Sequence, residues 1–343
     1  MKASALLLLS AVLALSQPSP DVAVYLDEAL QVMRQHALTS SRVNWDRLRR
    51  EVHARARGAT STHAAYPALR YALRALGDGH SFLQLSDELQ RAEAAAREGA
   101  PAPETPNPRK APSPFGSRMR AEHELLREGP APVAYVFMPQ GRRTSAFAEE
   151  FQKSMAALES ERPCGWIVDL RGNGGGDMWP MLAGLGPLLG AGQVGGSVHA
   201  SGARDRWHYE RGTAIFEDTD GTRKTFASVA APVTIRLTRI AVLIDRGTAS
   251  SGEAMAIAFR RDPRARSFGE RTYGASTATR GFKLRDGANL VIAVSVFTDR
   301  RGTSYPDGVA PDVAVRTPDA LPARDTDAAI TAALRWLRRE PGC

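Results

Sequence analysis

The chain has 343 residues, of which 43% are hydrophobic and 24% are charged. This length and balance exclude a wholly disordered or fibrous protein and are typical of one large globular domain, with or without a smaller companion. The net charge of +8 comes mostly from arginine, but the arginines are scattered and no nucleic-acid-binding module accompanies them, so we expect no nucleic-acid partner.

The first residues have the pattern of a secretory signal peptide. Lys2 precedes an apolar run from Ala5 to Leu15, and the run ends in the small residues of a signal-peptidase site. The run is too short to cross a bilayer, and no other stretch reaches the roughly 18 apolar residues of a membrane-spanning helix. We therefore expect residues 1–16 to be removed by cleavage near Ser16. A secreted or periplasmic protein with no membrane span is the expected product.

Residues 17–93 have the pattern of a small helical domain. Gly77 is a typical residue at the end of a helix, and a glycine-flanked loop with His80 follows it. Six prolines between residues 101 and 114 indicate that residues 94–130 form a linker or an exposed excursion. Three helices are predicted from apolar residues at helical spacing, which are Val22, Leu26, Leu30 and Met33, then Trp45, Leu48 and Val52, then Leu69, Leu73 and Leu76.

In residues 131–343, short buried strands alternate with helical patterns, which is typical of an α/β core. Strands are predicted over 133–138, 166–170 and 241–245, and helices over 147–158, 181–188 and about 251–260. Residues 282–284 and 290–297 predict a hairpin with Asp286-Gly287 at its turn. A last helix is predicted from Ile330, Leu334 and Leu337.

A glycine run, 172–176, follows the predicted strand that ends at Leu170. Glycines after a buried strand permit a sharp turn and direct backbone amides towards a negatively charged oxygen. The spacing matches neither of the common phosphate-binding glycine motifs, and no lysine follows. An oxyanion hole, a phosphate cradle and a tight packing turn remain the possible interpretations.

A second strand-to-helix junction contains Thr248, Ser250 and Ser251. A serine at a helix N-terminus lies where the helix stabilises negative charge, and it becomes a nucleophile if a base accepts its proton. The alternative interpretation is that one of these hydroxyls only caps the helix. All seven histidines precede Ser250, which excludes the chain order of α/β-hydrolases.

Five motifs in this order resemble the tail-specific, or C-terminal processing, serine protease family. The resemblance is to the branch that includes the tricorn protease core and the repeats of interphotoreceptor retinoid-binding protein. It implies an α/β fold with a ClpP/crotonase-like core, an N-terminal helical cap and a C-terminal β-hairpin addition. About fifty residues between Phe82 and Val133 leave no room for the PDZ domain of many processing proteases. The motifs are Leu76-Gly-Asp-Gly-His-Ser81, Asp169-Leu-Arg-Gly-Asn-Gly-Gly-Gly176, Gly247-Thr-Ala-Ser-Ser-Gly-Glu253, Phe268-Gly-Glu-Arg-Thr-Tyr-Gly274 and Gly308-Val-Ala-Pro-Asp312.

The resemblance also implies roles for individual residues. Ser250 matches the family's nucleophile, and the amides of Ser251 and Gly176 match its oxyanion hole. The lysine base of the processing branch is replaced by Ala275, whereas the histidine base of the tricorn-like branch matches His80.

Three further side chains are candidates for roles in this site. Ser81, beside the base, is a candidate for a proton relay. The acid that orients the base has no direct match. Asp307 is the carboxylate nearest in sequence to the family's position, and Glu270 is next.

The implied function is a serine peptidase that hydrolyses a peptide or unfolded protein through an acyl-enzyme, with no cofactor and no metal. One alternative is an inactive protein of the same fold that binds a hydrophobic ligand or a peptide, because the missing lysine and displaced acid also fit an inactive site. A second alternative is hydrolysis of a non-peptide acyl substrate by the same residues. The sequence leaves the oligomeric state open. Its two cysteines, Cys164 and Cys343, allow at most one disulfide.

Overall fold

A computed structural model describes residues 17–96, 113–118, 120–141, 144–318 and 320–343. The predicted signal peptide and much of the predicted proline-rich linker lie outside these residues. The chain divides into a smaller unit, Met1–Pro106 with Ala278–Ser295, and a larger unit, Asn107–Thr277 with Val296–Cys343.

The secondary structure begins with helices and then becomes mixed. The helices are α1 (Pro20–His36), α2 (Trp45–Arg55), α3 (Thr62–Ala75), α4 (Asp87–Ala96), α5 (Ser145–Ser160), α6 (Met178–Leu189), α7 (Ser251–Ala258) and α8 (Ala328–Leu337). The strands are β1 (Phe82–Gln84), β2 (Glu122–Leu126), β3 (Val133–Phe137), β4 (Gly165–Asp169), β5 (Gly192–His199), β6 (Arg204–Glu210), β7 (Thr213–Glu217), β8 (Arg223–Ser228), β9 (Arg239–Ile244), β10 (Ala265–Gly269), β11 (Thr277–Lys283), β12 (Asn289–Asp299) and β13 (Val313–Ala314).

The smaller unit contains the three predicted helices, and their predicted apolar faces are buried in one core. Each of these helices begins at a polar residue that accepts a hydrogen bond from the first turn. Ser19 accepts from Val22, Asn44 from Arg47 and Ser61 from Ala64. Such caps satisfy amides that have no partner within the helix, so the helix starts are set by local sequence.

The predicted hairpin is present as β11 and β12, with Gly287 at a φ of 90° in its turn. The sequence placed this hairpin in the domain of residues 131–343. In the structure, Ala278–Ser295 belongs to the smaller unit, and Leu284, Leu290 and Ile292 are buried in the same core as its helices. The physical reason is that the apolar side chains of the hairpin complete a helical core that is contributed by residues far away in sequence.

The larger unit is built on a six-stranded sheet with the order β13-β10-β9-β4-β3-β2. The strands are parallel except for β2, which runs antiparallel to β3. The residues of β3 and β4 are buried throughout, as expected for parallel strands covered on both faces. Since β4 and β9 are parallel neighbours, the loops after Asp169 and Ile244 leave the same edge of the sheet. This edge is where open α/β sheets place their sites.

The larger unit also contains an antiparallel meander of the strands β5 to β8. No strand is predicted from the sequence of this segment, which lacks a clear apolar alternation. A disulfide connects Cys164, directly before β4, with Cys343 at the end of the chain. No helix within the described ranges is long and apolar enough to cross a membrane.

Candidate active site

The loop after β4 is held by the buried side chain of Asn173. Its amide nitrogen donates to the carbonyls of Met138 and Pro139 at 3.0 Å each, and its amide oxygen accepts from the Gly175 amide at 3.0 Å. Its backbone carbonyl accepts from the Ala249 amide at 2.9 Å. Asn173 therefore connects the glycine run both to the end of β3 and to the serine-containing loop.

The loop after β9 is held in the same way by Asp245, which is fully buried. Its Oδ1 atom accepts from the amides of Gly172, Gly247 and Thr248 at 2.8, 3.0 and 3.1 Å. The Thr248 hydroxyl donates to the carbonyl of Leu170 at 2.9 Å. These hydrogen bonds join the loop after β4 to the loop after β9.

Ser250 occupies the N-cap position of α7 with a φ of 51° and a ψ of −119°. A residue that only caps a helix normally has extended backbone dihedral angles. A positive φ at a residue other than glycine stores strain, and such strain is concentrated at functional sites. A sharp strand-to-helix turn of this kind is how nucleophilic serines are exposed. Ser250 also forms a capping box with Glu253, so this residue both caps α7 and has the strained backbone of an exposed functional serine.

The amides assigned to the oxyanion hole lie beside this serine. The Ser251 hydroxyl donates to the Gly176 carbonyl at 2.6 Å, which joins the two predicted donors directly. Gly176 has a φ of 104° and forms an isolated bridge with Gly141. Among the described residues, no hydrogen bond uses the amide of Gly176 or that of Ser251. Within the described ranges, both amides are therefore without a hydrogen-bond acceptor from the chain.

Sequence reasoning assigned no role to Glu253, which is the central acceptor of the site. Its Oε2 atom accepts from the amides of Ser250 and Ala275 at 3.1 and 2.8 Å, and its Oε1 atom accepts from the Gly274 amide at 2.7 Å and from the Thr272 hydroxyl. Burial raises the pKa of Glu253, and these four hydrogen bonds oppose that rise. The spacing of a serine and a glutamate three residues later, as in a capping box, is the signal that could have identified it.

His80 belongs to the smaller unit, where Asp78 orders its loop. Asp78 Oδ1 accepts from the amides of His80 and Ser81 at 2.8 and 2.7 Å, and Asp78 Oδ2 accepts from the Ser81 hydroxyl at 2.6 Å. The Ser81 oxygen also accepts from the Ala293 amide at 2.9 Å. These hydrogen bonds fix the backbone of His80 and of the residue that follows it. Asp78 is a second residue to which sequence reasoning gave no role.

The two candidate orienting acids have different surroundings within the larger unit. Glu270 Oε2 pairs with Arg246 at 3.2 Å, and Glu270 Oε1 accepts from the Thr317 amide at 3.0 Å. Asp307 is exposed, and its backbone carbonyl accepts from Arg271 at 3.4 Å. Which acid orients the base stays a prediction. The described part of the chain contains no group of three or more His, Cys, Asp or Glu side chains that could hold a metal ion.

A sheet edge that presents a strained serine beside two available amides is an arrangement suited to acyl transfer. Residues 132–315 match the model of peptidase family S41, which is more than half of the chain. The protein belongs to this family, and the predicted relationship to C-terminal processing proteases is confirmed.

Two curated relatives differ in how much of their length the chain matches. The nisin-resistance protein of Lactococcus lactis is 25% identical over 326 residues, which cover 94% of this chain and 88% of that protein. The carboxyl-terminal-processing protease of Synechocystis is 30% identical over 181 residues, which cover 51% of this chain and 38% of that protein. The chain therefore spans well under half of the second relative.

Solved structures show the same mixed α/β fold. A lipoprotein from Streptococcus agalactiae superimposes with a TM-score of 0.63 at 21% identity, over 93% of this chain and 96% of that one. The photosystem II D1 C-terminal processing protease gives a TM-score of 0.56 at 20% identity, over 91% of this chain and 97% of that one. Mature CPAF gives a TM-score of 0.53 at 14% identity, over 92% of this chain and 96% of that one.

Proposed function

We propose that this peptidase is a serine peptidase with Ser250 as its nucleophile and His80 as its general base. The observation that carries the proposal is the strained backbone of Ser250 beside the available amides of Gly176 and Ser251. Membership of family S41 supports peptide bonds as the target. We further propose a ClpP/crotonase-like core for the larger unit.

The reaction proceeds in two acyl transfers. Ser250 Oγ attacks the peptide carbonyl carbon while its proton passes to His80, and the amides of Gly176 and Ser251 donate to the resulting oxyanion. The C–N bond then breaks, and His80 gives the proton to the leaving amine. Water attacks the acyl-enzyme with His80 again as base, which releases the acid and restores Ser250. Loss of one oxyanion donor typically costs about 2.7–4 kcal/mol of barrier.

The choice of base follows from the residue types. Ala275 is buried at the position of the family's lysine, and its amide is bound by Glu253. An imidazole has an ordinary pKa of about 6.5 and accepts a proton at neutral pH without a second base. The ordered loop around Asp78 suits a side chain that must keep one orientation through both steps.

The surroundings in which this enzyme acts are part of the proposal. Residues 1–16 have the pattern of a signal peptide, and Cys164 is joined to Cys343 in a disulfide. Disulfides persist in oxidising compartments. We propose a secreted or periplasmic enzyme whose substrates are peptides or unfolded proteins.

A fluorophosphonate probe tests the nucleophile. We expect the wild-type protein to be labelled once, Ser250→Ala to remain unlabelled, and Ser160→Ala, a change at an exposed serine of α5, to be labelled like the wild type. His80→Ala should lose labelling and peptide hydrolysis at neutral pH while its thermal unfolding is nearly unchanged. A folded wild-type protein that is not labelled would instead support the inactive, ligand-binding alternative.

Nisin is a specific candidate substrate, because the relative that matches 94% of this chain is a nisin-resistance protein. Incubation of nisin with the wild-type protein and with Ser250→Ala, followed by mass spectrometry, tests this candidate. New fragments that appear only with the wild type support it. Intact nisin, under conditions in which another peptide is hydrolysed, contradicts it.

A further inference from the structure

Three aromatic side chains of the larger unit, Trp179, Phe216 and Phe226, form a cluster that we call the aromatic platform. The rings of Phe226 and Trp179 are stacked, with centroids 4.7 Å apart and planes 17° apart. Phe216 meets both rings edge to face, at 5.9 Å from Trp179 and 6.1 Å from Phe226. Phe226 is 52% exposed, and the other two rings are partly exposed. The cluster thus presents an aromatic surface to solvent.

A β-bulge sets the position of Phe226. Ala214 of β7 pairs with Ala227 of β8, whereas the next residue, Ile215, pairs with Thr225, so Phe226 has no partner across the ladder. A bulge bends its strand and redirects the extra side chain. Strand β8 is the last strand of the meander, and residues 223–226 are all exposed. The bulge therefore turns an exposed edge residue onto the ring of Trp179.

Only two residues, Asp177 and Met178, separate the aromatic platform from the proposed catalytic loop in sequence. Trp179 is the second residue of α6, and Gly176, whose carbonyl binds the Ser251 hydroxyl, comes three positions earlier. Consecutive Cα atoms are about 3.8 Å apart, so the Cα atoms of Gly176 and Trp179 are at most about 11 Å apart. An extended peptide advances about 3.3 Å per residue. Three or four extended substrate residues therefore span the greatest distance that can separate the Cα atoms of Gly176 and Trp179.

We propose that the aromatic platform binds one apolar side chain, aromatic or branched aliphatic, of the peptide substrate, three or four residues from the bond that Ser250 attacks. This inference rests on the proposed peptidase function and names the class of peptide that the site accepts. Stacked and edge-to-face rings leave flat faces that pack against apolar groups and add affinity beyond the area buried. The continuity between the platform and the glycine run makes the substrate chain its occupant.

A binding experiment tests this without hydrolysis. The probe is a fluorescein-labelled ten-residue peptide of alanine and serine, compared with variants that carry one phenylalanine at each position in turn. The protein is Ser250→Ala, and the dissociation constant is measured by fluorescence anisotropy. We expect phenylalanine at one or two adjacent positions to tighten binding about tenfold, a gain of about 1.4 kcal/mol.

Variants of the platform, made in the Ser250→Ala protein, give the decisive comparison. Phe226→Ala and Trp179→Ala should abolish the preference for phenylalanine and leave binding of the parent peptide unchanged, whereas Phe226→Leu should keep most of it. Leu237→Ala is the matched control, since Leu237 is 76% exposed and lies outside the platform. The inference is overturned if Phe226→Ala still prefers the phenylalanine peptides. It is also overturned if Phe226→Ala weakens binding of the parent peptide as much as binding of the phenylalanine peptides.

The peptide-binding test of the platform can fail or succeed independently of the fluorophosphonate test of the proposed function. If the wild-type protein is not labelled by the fluorophosphonate probe but the phenylalanine preference depends on Phe226, the peptidase mechanism fails and the aromatic platform stands. If labelling succeeds and no phenylalanine position matters, the mechanism stands and the platform is refuted. Circular dichroism of Trp179→Ala checks its folding, and Phe226→Ala tests the proposal at a half-exposed position where folding is not at risk.

Discussion

The backbone of Gly175 lies directly against the side chain of Ser250. A Cβ atom added to Gly175 would lie 2.8 Å from Ser250 Cβ and 3.2 Å from Ser250 Oγ, and the φ of Gly175 is 111°. The preceding residue is different, because a Cβ atom added to Gly174 meets nothing within 4 Å. Two adjacent glycines therefore have separable roles, one of which is to leave room for the proposed nucleophile.

The substitution Gly175→Ala tests this relationship. We expect kcat to fall by about 100-fold or more, as when an oxyanion donor is lost, because the new methyl group displaces Ser250. Gly174→Ala is the control and should remain within about twofold of the wild type. Both are measured by peptide turnover and by the rate of fluorophosphonate labelling. Equal activity of the two variants would show that the contact has no catalytic role.

The four donors around Glu253 lead to a prediction for Glu253→Gln. The glutamine NH₂ group would face two hydrogen-bond donors in place of an acceptor oxygen, so we expect a loss of about 1–3 kcal/mol in the free energy of unfolding. We also expect slower fluorophosphonate labelling, because the Ser250 amide is one of the donors. Urea unfolding and labelling rates measure the two effects, with Glu150→Gln at an exposed position of α5 as control. Unchanged stability would mean that the carboxylate is not needed there.

The acid that orients the base can be identified by two isosteric changes. We expect Asp307→Asn to lower kcat by about 10²- to 10⁴-fold with little change in KM, as when the acid of a serine protease triad is neutralised. Glu270→Gln should have a smaller effect on kcat, since Arg246 and the Thr317 amide already occupy the Glu270 carboxylate. Steady-state kinetics of both variants decide the matter. A larger loss in Glu270→Gln reverses the assignment, and small equal losses remove both residues.

A buried ion cluster at the end of β4 predicts how stability depends on pH. Burial by itself would raise the pKa of Asp169, but Arg171, Arg118 and the Tyr135 hydroxyl hold it below its ordinary value. Asp169 Oδ2 lies 2.7 Å from Arg171 and 2.7 Å from the Tyr135 hydroxyl. A depressed pKa means that this stabilisation is present above the unfolded value of about 3.9 and is lost as the pH falls through the native pKa.

Removal of this charge should therefore matter most at neutral pH. We expect Asp169→Asn to lower the free energy of unfolding by about 3–5 kcal/mol at pH 7, because Arg171 is left buried with less compensation. The difference from the wild type should shrink as the pH falls below about 4. Urea unfolding at pH 7, 5 and 3 measures both effects. A difference that is the same at all three values would assign the loss to packing and not to charge.

Elements with strong local periodicity were predictable from the sequence. The helices α1 to α3 and the strands β3, β4 and β9 are near the predicted positions, because burial of a helix face or of a whole strand leaves a pattern within one segment. The helix α4 was not predicted. The meander β5 to β8 was missed, since it is rich in charged residues that pair across strands, such as Arg206 with Glu217 at 2.7 Å. Such pairs stabilise a sheet only between segments.

The family could be predicted from the sequence, because its motifs are contiguous and occur in one order. Which of those residues are in contact became clear from the fold. The pairing of Cys164 with Cys343 across 179 positions, the close approach of Gly175 to Ser250 and the four hydrogen bonds of Glu253 all join distant segments. The physical reason is that a motif specifies residue types along the chain, whereas distances between loops follow from how the parallel strands that carry them are packed side by side.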